Sequence, residues 1–321
     1  MYRRPKVFKT RATAASHVTV RFFNYGETII ATINETRAAF AAALRAPGAG
    51  IVAPGTGDGL GARLIEQAGF KAVYVSGYAI EGTYGKPDLG LLSFAEVAAR
   101  LEQIADATNL PVIADADTGY GNALNVIRTV RGLERAGVAA LQLEDQDLPK
   151  KCGSMPGKLL ISTDAMVGKI KAAVDARSDS NLLIIARTDA LASEGANAAL
   201  DRLGRYREAG ADLLMVLGPY DRTTAHELIR RSPGPLAYFN AESLTMPMLP
   251  PAELHELGVP LVIFPTALIL AAAKAMQNTL QTILTTGSTE ALIGSELVSP
   301  NDFNALVGLA ALRSAEARYV V

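Results

Sequence analysis

One short phrase occurs four times along this chain, and it constrains the fold more than any other feature. Each copy ends a helical stretch, carries a glycine, and then continues into a run rich in Val, Leu and Ile. The copies read EQAGFKAVYV at 66–75, ERAGVAALQL at 134–143, REAGADLLMV at 207–216 and HELGVPLVIF at 255–264. The glycine supplies the left-handed residue with which helices commonly end. Continuous rather than alternating apolar residues are typical of strands covered on both faces, as in a parallel sheet.

The alternation of helix and strand extends over most of the chain. A helix is predicted over 35–45, with Asn34 as its N-cap, and a second one from about 58 to 67. Predicted strands lie at 51–53, 72–77, 111–115, 139–144, 182–186, 212–217, 235–239 and 261–265. Eight strand–helix units over about 250 residues are typical of a (β/α)8 barrel of the TIM type. A doubly wound open sheet is the alternative, but no GxGxxG follows the first strand.

Helical sequence continues beyond the last predicted strand, at 266–285, 288–294 and 300–318. A barrel needs only one helix after its last strand. We therefore predict extra C-terminal helices, which either pack against a partner subunit or cap the same chain.

The composition excludes several classes of partner. A net charge of −1 over 321 residues gives no general attraction to nucleic acid or to an anionic membrane. The longest apolar run, 261–276, is interrupted by Pro265 and Lys274 and does not resemble a membrane span. The three histidines lie far from the acidic clusters in sequence, which argues against a His/Cys zinc site. The single cysteine forms no intramolecular disulfide and fits a reducing compartment, so we expect a cytoplasmic protein.

Residues 1–33 form a basic N-terminal arm, and 34–321 are predicted to form a single barrel domain with its helical extension. The first 23 residues, MYRRPKVFKTRATAASHVTVRFF, carry six Lys or Arg and no acidic residue. One interpretation is a poorly packed arm, and the other is an organellar transit peptide, which would make the location mitochondrial.

Polar residues concentrate where the predicted strands end. In barrels of this type, the carboxyl ends of the strands carry the functional groups. The residues in question are Ser76 and Gly77, Asp88 in a glycine-rich loop, Asp115 and Asp117, Glu144 and Asp145, Arg187 and Asp189, and Asn240 and Glu242. A single acid at such a place often only caps the next helix. Several carboxylates around one rim repel each other and need a cation, and oxygen ligands without histidine favour Mg²⁺ or Mn²⁺.

Two further residues carry chemistry at this rim. Arg187 either clamps a substrate carboxylate bidentately or forms a salt bridge to Asp189. Cys152, in PKKCGSMPGK, follows two lysines that favour its thiolate. The thiol is a candidate general acid or nucleophile, whereas a lone cysteine is by default a small buried hydrophobe. The surrounding glycines and prolines argue against burial in a core.

Six segments of the chain form a distinctive set: VYVSG at 73–77, GKPDLG at 85–90, ADADTGYG at 114–121, LEDQ at 143–146, PKKCG at 149–153 and IARTDA at 185–190. Together they resemble the isocitrate lyase/phosphoenolpyruvate mutase superfamily, and within it the branch of 2-methylisocitrate and 2,3-dimethylmalate lyases. The likeness covers about residues 40–285. It implies a (β/α)8 barrel whose last helix is exchanged between subunits of a homotetramer, a dimer of dimers.

The resemblance also implies roles for individual residues. By it, Asp115 and Asp117 are expected in the metal shell, with Asp88 and Glu144 acting through waters. The remaining roles it implies are catalysis by Cys152, Tyr74, Lys150 and Arg187, and substrate binding by Ser76, Gly77, Lys151, Gly153, Asn240 and Glu242. In the lyases, a 2-hydroxy diacid undergoes retro-aldol cleavage and the thiol protonates the departing carbanion.

The chain departs from the family pattern at three places. Ser154 stands where the lyase loop normally has His, and Leu217 or Gly218 stands near the place of a Glu after the sixth strand. The Asn240–Glu242 segment is one residue shorter than the usual Asn-x-Thr-Glu. Handling of the 2-oxo acid half is therefore expected to be retained, and recognition of the other half is expected to differ.

The leading hypothesis from the sequence is a Mg²⁺-dependent carbon–carbon lyase acting on a 2-hydroxy di- or tricarboxylic acid of the methylisocitrate or dimethylmalate kind. A hydrolase or decarboxylase of oxaloacetate-like acids on the same site is the main alternative. Phosphonate chemistry and a non-catalytic metabolite-binding protein are weaker alternatives. The expected partner is a small carboxylic acid, and neither nucleic acid nor a membrane is expected.

Overall fold

The computed structural model describes residues 32–242 and 245–319. The predicted arm, 1–33, therefore lies outside the described residues except for Thr32 and Ile33, which begin the first helix. Within the described ranges, no helix combines the length and the apolar character needed to cross a bilayer.

Eight parallel strands form the centre of the molecule, in the order β6-β5-β4-β3-β2-β1-β8-β7. They are β1 (Ile51–Thr56), β2 (Val73–Val75), β3 (Val112–Asp115), β4 (Ala140–Glu144), β5 (Leu183–Thr188), β6 (Leu213–Val216), β7 (Ala237–Phe239) and β8 (Leu261–Phe264). A parallel bridge between Leu214 and Leu236 joins β6 to the chain entering β7, which nearly closes the sheet into a barrel. The (β/α)8 prediction is confirmed, and the open sheet is not.

Helices follow the strands and surround them. They are α1 (Ile33–Arg45), α2 (Gly59–Gln67), α3 (Gly77–Thr83), α4 (Phe94–Ala107), α5 (Ala123–Arg135), α6 (Thr163–Ala176), α7 (Leu191–Glu208), α8 (Arg222–Arg231), α9 (Pro251–Glu256), α10 (Ala267–Thr286), α11 (Pro300–Leu306) and α12 (Leu309–Glu316). The glycines of the four repeated phrases, Gly69, Gly137, Gly210 and Gly258, all have positive φ, as predicted for helix ends.

The start of α1 corrects one prediction. Thr32, not Asn34, is the N-cap: its hydroxyl accepts from the backbone N–H of Glu35, and the Glu35 carboxylate accepts from the Thr32 N–H. This reciprocal pair is a capping box, which requires Ser or Thr three residues before Glu or Gln. Asn34 is already inside the helix.

The core consists of two apolar layers. One lies between the strands and the outer helices, and includes Leu141, Leu143 and Ile184. The other fills the barrel and includes Tyr74 and Ile113. Side chains from the two faces of each strand enter different layers, because successive strand residues point in opposite directions.

Helix α1 closes one end of the barrel. Its Phe40 and Leu44 belong to the same buried cluster as Ile51, Leu183 and Leu261, which are the first residues of β1, β5 and β8. The N-terminal end of the barrel is therefore filled by apolar side chains. Polar chemistry is left to the opposite end, where the strands finish.

The C-terminal helices bury few of their side chains. α10 has no buried residue over its 20 positions, and Met276, Leu280 and Leu284 are 63%, 66% and 81% exposed. The predicted helix over 300–318 is two helices, α11 and α12, which are separated at Gly308 with a φ of +83°. In the predicted helix over 288–294, only Glu290–Leu292 forms a 3₁₀ turn.

Arg37 on α1 generates a prediction about stability. Its buried guanidinium donates to the carbonyls of Val138 (2.8 Å) and Glu134 (2.6 Å) and lies 3.6 Å from the carboxylate of Asp179. Arg37→Met leaves these acceptors without a donor, so we expect the free energy of unfolding to fall by about 2 kcal/mol.

Urea unfolding followed by circular dichroism measures this change. The control is Arg45→Met on the same helix, because the side chain of Arg45 is 58% exposed and pairs with Asp212 at 3.4 Å. An exposed pair contributes at most about 1 kcal/mol. Equal losses in the two variants would show that α1 is not held by the buried guanidinium.

Candidate active site

A cavity of about 140 Å³ opens at the carboxyl ends of the barrel strands. Its walls come from residues at or just after β2, β3, β5, β6, β7 and β8, from the loop after β4, and from the start of α10. The lining residues are Ser76, Tyr78, Asp88, Asp115, Cys152, Gly153, Ser154, Arg187, Leu217, Phe239, Ala241, Glu242, Met246, Pro265, Thr266 and Leu270. This is the end of the barrel at which TIM-type enzymes carry their active sites.

One side of the cavity is acidic and is tied together by Lys150. The Nζ of Lys150 contacts the carboxylate of Asp88 and lies 2.7 Å from Asp117. Burial disfavours the charged lysine, but Asp117 and Asp88 outweigh this cost and raise its pKa. Burial also raises the pKa of Asp117 to about 7, against the opposing effect of Lys150. Lys150 is thus placed among the acids rather than on the cavity surface.

The turn after β3 brings two carboxylates to the same place. Asp117 has a φ of +48°, an uncommon conformation for a residue with a side chain. Its N–H donates to Oδ1 of Asp115 at 3.1 Å, and the N–H of Gly77 donates to Oδ2 of Asp115 at 3.3 Å. A Cβ on Gly77 would lie 3.3 Å from both carboxylates, so a glycine leaves room there.

Arg187 occupies the next sector of the rim. Its guanidinium donates to Asp189 at 2.9 and 3.1 Å and lies 2.7 Å from Glu144. Burial opposes its charge, but Asp189 and Glu144 raise its pKa above the ordinary value. These contacts use three of the five N–H groups of an arginine, which leaves two for a ligand in the cavity. The predicted salt bridge to Asp189 and a position facing the cavity therefore occur together.

The adjacent acids Glu144 and Asp145 point to opposite sides of β4. Glu144 faces the barrel interior and Arg187, whereas Asp145 accepts from Thr188 (2.6 Å) and Tyr206 (2.8 Å) behind the strand. Asp145 also accepts from the N–H of Asp189 at 3.0 Å. Asp145 therefore supports the end of β5 and takes no direct part in the cavity.

Residues 146–161, which we name the thiol loop, carry Cys152 to the cavity. The N–H of Cys152 donates to the carbonyl of Asp88 at 3.2 Å, and its Sγ lies 3.3 Å from Oγ of Ser154. Gln146 and the Lys151 backbone exchange two hydrogen bonds of 3.0 Å, which fix the base of the loop. The Nζ of Lys151 donates to the carbonyl of Gly157, so its charge stays on the loop and outside the cavity lining.

Two further predicted site residues, Tyr74 and Asn240, lie away from the cavity surface. Tyr74 is fully buried, and its hydroxyl donates to Gln142, whose amide in turn donates to Asp115 at 3.3 Å. Asn240 bonds the backbone of Leu249 through both its amide groups, at 2.9 and 3.1 Å. Tyr74 thus lies beneath the acidic side, and Asn240 fixes the loop after β7. The position of Asn240 does not match the predicted substrate contact, because the NH₂ and the C=O of its side chain both bond the backbone of Leu249.

The predicted residues Ser76, Gly153 and Glu242 do line the cavity. Glu242 accepts a hydrogen bond from the hydroxyl of Thr266, which precedes α10. Gly153 lies against Arg187, since a Cβ there would come within 2.7 Å of Nη2. Gly77 does not line the cavity; it follows Ser76 and is the first residue of α3.

The sequence did not reveal the apolar wall of the cavity as such. It is formed by Leu217, Phe239, Met246, Pro265 and Leu270. Residues of this kind after or within strands cannot be distinguished from barrel core by their pattern alone. The one signal in the sequence is Leu217, which departs from the family pattern after the sixth strand.

The residues present fit a divalent cation. Among the described residues, the carboxylates Asp88, Asp117, Glu144 and Asp189 form ion pairs with three cations, Lys150, Lys158 and Arg187. Asp115 adds a fifth carboxylate beside Asp117, so carboxylates outnumber these cations. Within the part of the chain that the structure describes, the buried Oε1 of Glu144 has no hydrogen-bond partner. No ready group of three or more His, Cys, Asp or Glu ligands occurs in those residues. A cation would be held by few carboxylates and several waters, as is usual for Mg²⁺.

Comparison with known proteins agrees with this geometry. The model of the phosphoenolpyruvate phosphomutase family matches residues 40–284. The chain belongs to the phosphoenolpyruvate mutase/isocitrate lyase superfamily. It is 45% identical to 2,3-dimethylmalate lyase of Eubacterium barkeri, over 84% of this chain and 93% of that protein. It is 43% identical to 2-methylisocitrate lyase of Aeropyrum pernix, over 80% and 83% of the two chains.

A solved structure is also similar to this chain. It is a complex of phosphonopyruvate hydrolase with oxalate and Mg²⁺, with a TM-score of 0.79 and 32% identity over 88% of this chain and 99% of that one. The likeness covers 93% and 83% of two named lyases, and it shows that this protein is an enzyme of the carbon–carbon lyase class. The family resemblance found in the sequence is confirmed.

Proposed function

We propose that this enzyme is a Mg²⁺-dependent lyase that cleaves a 2-hydroxy dicarboxylic acid with alkyl substituents into a 2-oxo acid and a carboxylic acid. The observation that carries the proposal is the meeting of a thiol, a guanidinium and a carboxylate in one cavity of about 140 Å³. Cavities of roughly this size hold a small molecule such as benzene, so a small acid is the appropriate substrate class.

Arg187 and Ser76 would bind the half of the substrate that becomes the 2-oxo acid. The two N–H groups of Arg187 that are not used by Glu144 and Asp189 suit a carboxylate. The guanidinium is held from two sides, so a bound carboxylate is oriented by a rigid group. Such orientation lowers the entropy cost of reaching the reactive geometry.

The acids beside Lys150 would hold the cation. Asp115 and Asp117 are the residues expected nearest to it, with Asp88 and Glu144 around them. A bound Mg²⁺ or Mn²⁺ would supply Lewis acidity toward the 2-hydroxyl and carboxylate oxygens of the substrate. Gln142, which bonds both Tyr74 and Asp115, keeps one of these carboxylates oriented.

Cys152 would act as the general acid. A carboxylate of the acidic side, such as Asp115, would take the proton of the substrate 2-hydroxyl, whose oxygen becomes the carbonyl of the 2-oxo acid as the C–C bond breaks. The electron pair of that bond would stay on the departing fragment, and a proton from the thiol would complete the carboxylic acid product. The thiol lines the same cavity as Arg187, which supports this role. General acid catalysis of this kind contributes typically about 10²–10⁴-fold.

The apolar wall supports a dicarboxylate with alkyl groups over a tricarboxylate. Among the residues that line the cavity, Arg187 alone is a cation, and the apolar part of the lining includes Leu217, Phe239 and Met246. A third carboxylate placed against those side chains would lose its hydration without gaining a partner, which is costly. Methyl groups at the same place would gain free energy by leaving water.

A panel of substrates tests the proposal. With Mg²⁺, we expect release of a 2-oxo acid from 2,3-dimethylmalate at a kcat/KM at least tenfold above that for 2-methylisocitrate, because the latter carries an additional carboxylate. EDTA should abolish turnover, and added Mg²⁺ should restore it. Faster consumption of oxaloacetate than of any hydroxy acid would favour the hydrolase alternative, and activity unaffected by EDTA would contradict the metal assignment.

The role of the thiol gives a second prediction. Cys152→Ser and Cys152→Ala are expected to lower kcat by about 10²-fold or more, because neither side chain is a comparable acid. Mg²⁺ binding, followed by isothermal titration calorimetry, should be unchanged, since the thiol lies outside the acidic group. Full turnover by Cys152→Ala would show that the proton comes from elsewhere.

We further propose that the protein is a homotetramer in which α10 and the helices after it pack on a neighbouring subunit. The exposed Leu280 and Leu284 of α10 support this, because contiguous apolar surface of this kind usually marks an interface. The double substitution Leu280→Glu with Leu284→Glu should lower the mass found by light scattering after gel filtration. Lys171→Glu on the exposed face of α6 is the control, and an unchanged mass in the double variant would argue against the interface.

A further inference from the structure

Lys158 is a charged residue of the thiol loop for which the roles above give no use. Its side chain is only 6% exposed, and its Nζ lies 2.7 Å from Oδ1 of Asp189. The same Nζ donates to the carbonyl of Gly153. The ion pair therefore joins the far part of the loop to the end of β5, and also bends the loop back on itself beside Cys152.

Asp189 is shared between Lys158 and Arg187. Its Oδ1 accepts from both side chains, and its Oδ2 accepts from Nε of Arg187 at 2.9 Å. Burial raises the pKa of Asp189, but Arg187 and Lys158 outweigh this effect and lower it. A fully buried carboxylate in contact with two cations links the position of the loop to the orientation of the guanidinium.

The carboxylate is itself held in place from behind. The N–H of Asp189 donates to Asp145 at 3.0 Å, and Asp145 also accepts from Thr188 and Tyr206. Asp189 is therefore a fixed point of the barrel, to which the loop attaches through Lys158.

Gly153 shows how closely the loop lies on the site. A Cβ at this position would come within 2.7 Å of Nη2 of Arg187 and 3.1 Å of Leu217. The loop backbone next to Cys152 thus touches the guanidinium and the apolar wall. Any lifting of the loop at Gly153 would move the thiol away from a ligand held by Arg187.

We infer that Lys158 is a positioning residue, which attaches the thiol loop to Asp189 so that Cys152 and Arg187 reach the substrate together. The inference rests on the proposed function for the use of the thiol, but the attachment itself can be tested separately. Lys158 is not itself a lining residue of the cavity and does not bond the acids around Lys150. It acts through Asp189 and through Gly153, which does line the cavity.

The test compares Lys158→Met, which keeps the length and removes the charge, with Lys158→Arg, which keeps the charge. Lys171→Met on the exposed face of α6 is the matched control. We expect Lys158→Met to lower kcat for 2,3-dimethylmalate about 10²-fold, because a displacement of about 1 Å can have that effect. Lys158→Arg should recover kcat to within about tenfold of the unsubstituted enzyme, and Lys171→Met should not change it.

Hydrogen–deuterium exchange of the full protein with Mg²⁺ and oxalate supplies a readout that does not depend on turnover. We expect exchange in peptides covering 146–161 to rise at least tenfold in Lys158→Met, with the rest of the barrel unchanged. Oxalate affinity should change less than threefold, since Arg187 and Ser76 remain. Loss of kcat without faster loop exchange, or faster exchange without loss of kcat, overturns the inference. If the unsubstituted enzyme shows no lyase turnover, the proposed function fails, and loop exchange alone then supports or overturns the attachment by Lys158.

Discussion

The buried ion pairs around Arg187 are the interaction on which the rest of the site depends. Arg187 is held between Glu144 and Asp189, and Asp189 is held in turn by Lys158 and by the backbone contact to Asp145. Charges buried in this way are costly unless each has a partner. The cluster therefore has few arrangements available to it, and that restriction fixes the guanidinium and the loop above it.

Strand register brings together the central pair of this cluster, Glu144 and Arg187. In the parallel pairing of β4 with β5, Glu144 lies opposite Arg187, and in that of β3 with β4, Asp115 lies opposite Gln142. Side chains that face the interior at the ends of neighbouring strands are brought together by the barrel itself. The loops then add Asp88, Lys150 and Cys152 to a framework that the strands have already set.

The sequence predicts the barrel well because its evidence is repeated and local. Helix, glycine and apolar run occur together in four places, and all four glycines have the expected conformation. Polar residues at strand ends also predict which residues gather at the rim. The sequence alone could not decide which way each side chain points. Glu144 and Asp145 are adjacent acids, and only the orientation of β4 shows that Glu144 faces Arg187 in the barrel interior while Asp145 supports β5 from behind.

The other features that the sequence could not predict depend on contacts between residues far apart in the chain. Lys158 is one of several lysines in a loop, and nothing nearby in sequence identifies Asp189 as its partner. Asn240 follows a strand as a binding residue would, but the backbone of Leu249 takes up its amide. The apolar wall of the cavity consists of ordinary core residues until the barrel places them beside Cys152.

Helix α10 gives the cavity an unusual dependence. Leu270 in its first turn and Thr266 just before it form part of the cavity wall, while none of its residues is buried by the barrel. One side of the cavity is therefore formed by the N-terminal end of a 20-residue helix that has no buried residue. A contact that tilts the C-terminal end of this helix would change the shape of the cavity. The affinity of an inhibitor that touches Leu270 would then depend on contacts made at the other end of the helix.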